Sequence, residues 1–295
     1  DLTEDGLCPD HLKKPEEVKE ENYFFKLSKY KDRIIEHIKK NPDFIQPEFR
    51  ANEVLNQLEH IEDISVSRSK ESVSWGIPVL GDDSQIIYVW IDALSNYITA
   101  LGYDPETPSD MFKTYWPADV QVIGKDILKF HAIYWPAFLM ALDIPLPKTI
   151  LPLPEHILAH GWITIDQTKM SKSIGNVIAP KDVMETFELS HPDAFRYFMM
   201  VTAPTGRDGN YSDLDFKERV NADLANNIGN LLNRTLNMQV KYFDGEIKPE
   251  FITDADNEIA KEALKTSLLK TVLTNTKWQR QHRRLLISQI QSTNM

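Results

Sequence analysis

Lys169-Met-Ser-Lys-Ser173, followed by Ile174-Gly-Asn176, places two lysines three residues apart among hydroxyl groups. Ammonium and hydroxyl groups so spaced can reach phosphate oxygens and stabilise charge as it moves onto pyrophosphate. The same composition also suits a solvated loop. In Gly124-Lys-Asp-Ile-Leu-Lys-Phe-His131 the glycine allows a ligand close to the backbone. The Asp126 carboxylate can accept hydrogen bonds from ribose hydroxyls, or it can cap the helix that follows. Tyr88-Val-Trp-Ile-Asp-Ala-Leu-Ser-Asn-Tyr97 carries Trp90 and Tyr97, which can wall an apolar pocket or fill a core. Asn226, Asn230 and Arg234 fall at i, i+4 and i+8 and share one helix face. Amides and a guanidinium in such a row can read the edges of splayed bases, or form a merely polar exposed face. Cys8-Pro-Asp-His11 offers one thiol and one imidazole, which cannot close a four-ligand zinc site.

Periodicity and helix breakers give the elements that must position these groups. A helix is expected from Glu20-Glu-Asn-Tyr-Phe-Phe through Ile38, ended by Asn41-Pro42. A second opens at Pro47, with Val54, Leu55, Leu58 and Ile61 at helical spacing. Gln85–Ile91 reads as a buried strand feeding a helix over Ala93–Leu101, and Val120–Gly124 as a strand feeding a helix over Ile127–Leu142. Two strand–helix units imply α/β with parallel pairing, and ligands of such sheets bind beyond the strands' C-terminal ends. Trp90 and Gly124-Lys-Asp126 fall at those ends. Four prolines from Pro145 to Pro154 mark a connector, Trp162–Ile165 is a short strand, and Pro192 starts a helix over Asp193–Val201. Beyond the turn-rich Pro204–Asp213 the chain reads as helical, with Leu224, Ile228, Leu231 and Leu232 supplying a core stripe.

At 42% hydrophobic and 26% charged, the 295 residues suit a soluble globular protein of roughly two domains. No apolar run is long enough for a bilayer, and no signal-peptide pattern opens the chain. A single cysteine excludes an internal disulfide framework. The net charge of −11 argues against a broad grip on nucleic-acid backbone but not against recognition of single-stranded bases.

Lys169–Ser173 resembles the signature loop of class I aminoacyl-tRNA synthetases. Gly124–His131, Tyr88–Tyr97 and Asn221–Arg234 resemble segments of the methionyl-tRNA synthetases, bacterial-like or organellar in style. The resemblance covers about residues 1–250, most strongly 72–243. It implies an α/β fold: the C-terminal half of a Rossmann-like class I catalytic domain, followed by an incomplete all-α anticodon-binding bundle. The expected divisions are 1–71 as the remainder of a connective region, 72–165 as catalytic domain, 166–215 as signature loop and stem-contact region, and 216–295 as anticodon-binding helices. The implied reaction is ATP-dependent activation of methionine and its transfer to tRNA(Met). By the resemblance Lys172 contacts ATP phosphates and Lys169 supports it. Gly124, Asp126, Ile163 and Ser171 join Lys172 at ATP, which comes with Mg2+. Trp90, Ala93, Tyr97, Ile127 and His131 line the methionine pocket, and Asn226, Asn230 and Arg234 contact the anticodon. An aromatic wall suits a flexible, polarisable thioether, and a Tyr97 hydrogen bond to sulfur would help reject leucine and isoleucine.

The family's His-Ile-Gly-His motif does not occur, and His156-Ile-Leu-Ala-His160 is no substitute because it lacks the glycine and adjoins the Lys/Ser loop. The motif's expected place is upstream of Asp1, so the chain alone is expected to be nearly inactive. After about Thr266 the family pattern fades, and no site is expected in the basic Lys277–Arg284. No structural zinc, membrane contact or obligate protein partner is expected, and a soluble location in cytoplasm or organelle matrix is left undecided. Other readings are a non-catalytic tRNA-binding fragment or paralogue, and a class I synthetase for another apolar amino acid.

Overall fold

The computed structural model describes residues 6, 14–15, 19–142, 151–170, 175–246 and 252–267. Cys8, His11, Ser171 and Lys172 lie outside the described residues. In chain order the strands are β1 (Phe24–Phe25), β2 (Ile45–Gln46), β3 (Ile64–Ser65), β4 (Ser67–Ser69), β5 (Pro78–Val79), β6 (Asp82–Ile87), β7 (Gln121–Gly124), β8 (Ile157–His160), β9 (Ile163–Ile165), β10 (Thr168–Lys169) and β11 (Gly209–Tyr211). The α-helices are α1 (Lys31–Lys40), α2 (Glu48–Glu59), α3 (Val89–Thr99), α4 (Asp110–Tyr115), α5 (Trp135–Leu142), α6 (Pro180–Thr186), α7 (Asp193–Val201), α8 (Asp213–Arg219), α9 (Asn230–Phe243) and α10 (Asp254–Ser267). The chain divides into two compact units. One comprises Asp1–Asn41, Glu53–Pro117 and Lys129–Leu153, and the other Pro42–Asn52, Ala118–Leu128 and Pro154–Met295.

In the first unit β4, β6 and β5 form an antiparallel sheet in that order. Leu80-Gly81 joins β5 to β6, with Gly81 at φ +84, and so short a connection permits only antiparallel pairing. The parallel pairing expected for the Gln85 strand is therefore corrected. That strand also ends at Ile87. Tyr88 is the extended N-cap of α3, so Trp90 lies in a helix's first turn and not at a strand end. Asp92 in the same turn favours a helix start there. The helix expected from Glu20 begins only at Lys31, because β1 pairs antiparallel with β3 and Tyr23 N donates to Ser67 Oγ at 2.9 Å. Aromatic residues fit a pleated surface well, and tertiary pairing has overridden the helical pattern. α1 buries Ile34 and Ile38 and α2 buries Val54 and Leu58, each pair at i, i+4, while Ile61 lies past the end of α2. The helix expected over Ile127–Leu142 is in parts: a 3₁₀ turn at Lys125–Ile127, a π turn at Phe130–Tyr134, then α5.

The parallel sheet lies in the second unit. Its order is β2-β8-β7, and Gly124 at the end of β7 is in register with His160 at the end of β8. A second sheet has the order β10-β9-β11, with β9 antiparallel to β10 and parallel to β11. β11 falls in the stretch read as turns. The β9–β10 hairpin turns through Asp166 and Gln167, at φ 47 and φ 62. Two left-handed residues match the right-handed twist of a hairpin. Asn210 Oδ1 accepts from Gln167 N at 2.7 Å and holds the turn. Val183, Phe198, Tyr211 and Phe216 form a buried core, in which the Phe198 ring meets Tyr211 and Phe216 edge-on at 5.7 and 5.5 Å.

After α8 the chain is π-helical over Val220–Gly229, then continues as α9. The core stripe expected here is corrected. Leu224 is half-buried, but Ile228, Leu231 and Leu232 are 44%, 50% and 60% exposed. An apolar stripe becomes a core only under a second surface, and no described residue covers these three. Among the described residues no helix is long and apolar enough to cross a membrane.

Phe198→Ala should cost about 3–5 kcal/mol of stability, measured as a lower urea midpoint. A midpoint within error of the parent would remove Phe198 from the centre of this core.

Candidate active site

In the first unit α3 and the π turn bring an aromatic group together. Trp90 stacks on Phe130 at a centroid distance of 3.8 Å and meets His131 edge-on at 6.3 Å. Tyr97 Oη and His131 Nε2 are hydrogen-bonded at 2.8 Å. His131 is 3% exposed, while Trp90 and Tyr97 are half-buried and Ala93 is exposed. Trp90, Ala93 and Tyr97 are spaced three and four residues apart, which keeps them on one face of α3. Burial pushes the Tyr97 phenol above its ordinary value, so it keeps its proton at neutral pH and remains a donor. Trp135 lies against Tyr97 at 6.1 Å, and its buried indole N–H has no acceptor among the described residues. Trp135 was not singled out by its sequence, where it reads as one more apolar position in a helix.

In the second unit the end of β7 and the start of β9 form a polar cluster. A Cβ at Gly124 would lie 2.6 Å from Asp126 Oδ1, so the carboxylate folds back over the glycine. Asp126 makes no cap hydrogen bond; Gly124 is the N-cap, and Asp126 Oδ1 instead accepts from Trp162 Nε1 at 3.1 Å. Lys125 Nζ pairs with Asp208 Oδ2 at 2.7 Å, and Asp208 Oδ1 accepts from Trp162 N at 2.9 Å. The ammonium groups of Lys125 and Lys169 each lie 4.2 Å from the centre of the Trp162 indole. Asn176 Nδ2 donates to Lys169 O at 3.1 Å. Ile163 is half-buried and packs on the Phe198 core, and Ile127 is half-buried. Trp162, Lys125 and Asp208 are the contributors that sequence reading missed. Trp162 was read only as a strand residue, and Asp208, 83 residues from Lys125, carries no local signal.

Asn226, Asn230 and Arg234 are all exposed, the first on the π-helical segment and the others on α9. Tyr197 Oη donates to Asp223 Oδ2 at 3.0 Å and ties this segment to α7. Among the described residues no three His, Cys, Asp or Glu side chains are grouped to hold a metal ion.

The family model described as tRNA synthetases class I (M) matches residues 4–236. The chain belongs to this family. Curated relatives named methionine–tRNA ligase include those of Clostridium acetobutylicum, 48% identical over 263 residues, and Clostridium perfringens, 50% identical over 264. Each alignment covers 88% of this chain and 39% of the relative, so the chain spans about two-fifths of their length. The Mycobacterium tuberculosis methionyl-tRNA synthetase bound by methionyl-adenylate superposes with a TM-score of 0.76 at 40% identity, over 95% of this chain and 52% of that one. The class I synthetase fold is thereby established for this chain, in which helices accompany the mixed sheets.

In this class I synthetase chain Lys125 holds the Asp208 carboxyl below its ordinary value near 3.8, helped by the Trp162 backbone N–H. A lowered folded-state value means that the pair's stabilisation is complete above about pH 4 and is lost as pH falls through the folded value. The Asp208 carboxyl, followed by NMR, should titrate below 3.8 and shift upward in Lys125→Met. An unshifted midpoint in both proteins would dissolve the pair.

Proposed function

We propose that this protein acts in methionine activation: methionine and ATP form methionyl-adenylate and pyrophosphate, and the methionyl group passes to tRNA(Met). The observation that carries the reading is the Tyr97–His131 hydrogen bond inside an aromatic group, in a chain of this family. If His131 donates from Nε2 to the phenolic oxygen, the Tyr97 proton is available to a thioether, a weak acceptor. Trp90 and Ala93 add to the surroundings of the side chain, the role of Ile127 rests on its motif, and the Trp135 N–H is a further donor in the first unit.

In the reaction a methionine carboxylate oxygen attacks the α-phosphorus of ATP, and the bond to the β,γ-pyrophosphate breaks. Asp126, over Gly124, accepts from ribose hydroxyls, with Ile163 at the nucleotide. Lys172 and Ser171, with Lys169 in support, take the charge that develops on pyrophosphate; the role of Lys172 and Ser171 rests on their motif. Magnesium arrives on the triphosphate as the ion of the substrate. Asn226, Asn230 and Arg234, exposed on the π-helical segment and on α9, contact the anticodon.

Methionine-dependent pyrophosphate exchange into ATP tests the reading. The assay compares this chain with a chimera that adds the region of the Clostridium perfringens relative it does not cover. The sequence holds no His-Ile-Gly-His, so the chain by itself is expected to support little exchange. The chimera should exchange with methionine about a hundredfold better than with leucine or valine. Exchange driven by leucine or valine and not by methionine would overturn the proposal.

Tyr97→Phe in the chimera should reduce the preference for methionine over norleucine, in which a methylene replaces sulfur, by about two- to tenfold. An unchanged preference would remove Tyr97 from sulfur recognition.

A further inference from the structure

One indole in the second unit touches two of the charged groups that the nucleotide reading uses. Trp162 Nε1 donates to Asp126 Oδ1 at 3.1 Å, and the ring centre is 4.2 Å from Lys169 Nζ. The ring is itself held. Its backbone N–H donates to Asp208 Oδ1 at 2.9 Å, and Lys125, neutralised by Asp208 at 2.7 Å, also lies 4.2 Å from the ring centre. Lys169 pairs with no carboxylate among the described residues; its ammonium lies on the Trp162 ring. The indole engages Asp126 Oδ1, and no hydrogen bond to Oδ2 is found among the described residues. A carboxylate with one oxygen fixed and the other open presents a directed acceptor, and a ring under an ammonium restrains it without neutralising it.

We propose that Trp162 is a positioning residue for the nucleotide: its N–H aims the Asp126 carboxylate at ribose, and its ring face holds the Lys169 ammonium at the base of the phosphate loop. The proposal rests on the nucleotide reading given above. Bond and ring face are separable by substitution. Phe keeps a ring and removes the N–H; Leu removes both.

The test uses the full 295-residue chain. Affinities for ATP, 2′-deoxyATP and 3′-deoxyATP are measured by calorimetry, and acylation of Lys169 by a water-soluble amine reagent is followed by mass spectrometry. Trp162→Phe should lower the preference for ATP over the deoxy analogues by about tenfold, the worth of a hydrogen bond to a charged group. It should leave Lys169 acylation near the parent rate. Trp162→Leu should lower the same preference and also speed Lys169 acylation by about two- to fivefold. Circular dichroism and thermal melting establish that each variant is folded, and if Trp162→Leu is not, Trp162→Met takes its place. A folded Trp162→Phe with full ribose preference, or a folded Leu or Met variant with unchanged Lys169 acylation, overturns the proposal. A parent chain that shows no preference for ATP over its deoxy analogues would instead sink the ribose role of Asp126. Lys169 acylation would then still decide whether Trp162 holds the lysine.

Discussion

A methyl group at Gly161 would sit 2.0 Å from the carbonyl oxygen of Arg207 and 2.6 Å from the amide nitrogen of Asp208. Backbone cannot yield as the end of a flexible side chain can, so the approach requires a residue without a Cβ. The arrangement of the polar cluster depends on this contact. Gly209 N donates to Trp162 O at 2.8 Å and starts the parallel pairing of β11 with β9. Asp208, just before β11, is thereby brought under the Trp162 amide and onto Lys125. The indole then reaches Asp126 and Lys169. A chain of contacts thus leads from one missing side chain to the placement of two charges that a nucleotide would use.

The aromatic group of the first unit depends on a different device. A π turn over Phe130–Tyr134 places Phe130 under Trp90 and His131 against Tyr97. A π turn adds one residue to the hydrogen-bonded ring and shifts the face that side chains present, and such turns are frequent at functional sites. Burial serves two purposes here. It fixes the rings, and it pushes the Tyr97 phenol above its ordinary value, further from neutral pH. In the methionine reading proposed above, selection for a thioether would fall to a weak but directed hydrogen bond among apolar surfaces.

Signals local in sequence were legible. Pro192 placed α7 at Asp193–Val201, and the apolar run before Gly124 placed β7 within a residue. Gly124 and Asp126 were identified as a pair, though not the indole that holds the carboxylate. What was not legible came from partners distant in the chain. The Phe24–Phe25 strand needed Ile64–Ser65, 40 residues on, to outcompete a helix. The Gln85 strand's direction was set by the Leu80-Gly81 turn, which a rule based on strand–helix alternation ignores. Trp90 was misplaced by one element because apolar runs look alike in a strand and in a buried helix. The stripe at Ile228, Leu231 and Leu232 has the pattern of a core and the exposure of a surface. Periodicity names the face that would be buried, not whether anything lies on it.

In the nucleotide reading proposed above, the Gly161 approach and the Trp162 indole build the site around Asp126. A crystal structure of the chain with a non-hydrolysable ATP analogue tests this most directly. The predicted result has a ribose hydroxyl within about 2.6–3.2 Å of Asp126 and the Trp162 N–H still on the carboxylate. A nucleotide bound elsewhere, or one whose ribose contacts leave Asp126 turned away, would contradict it.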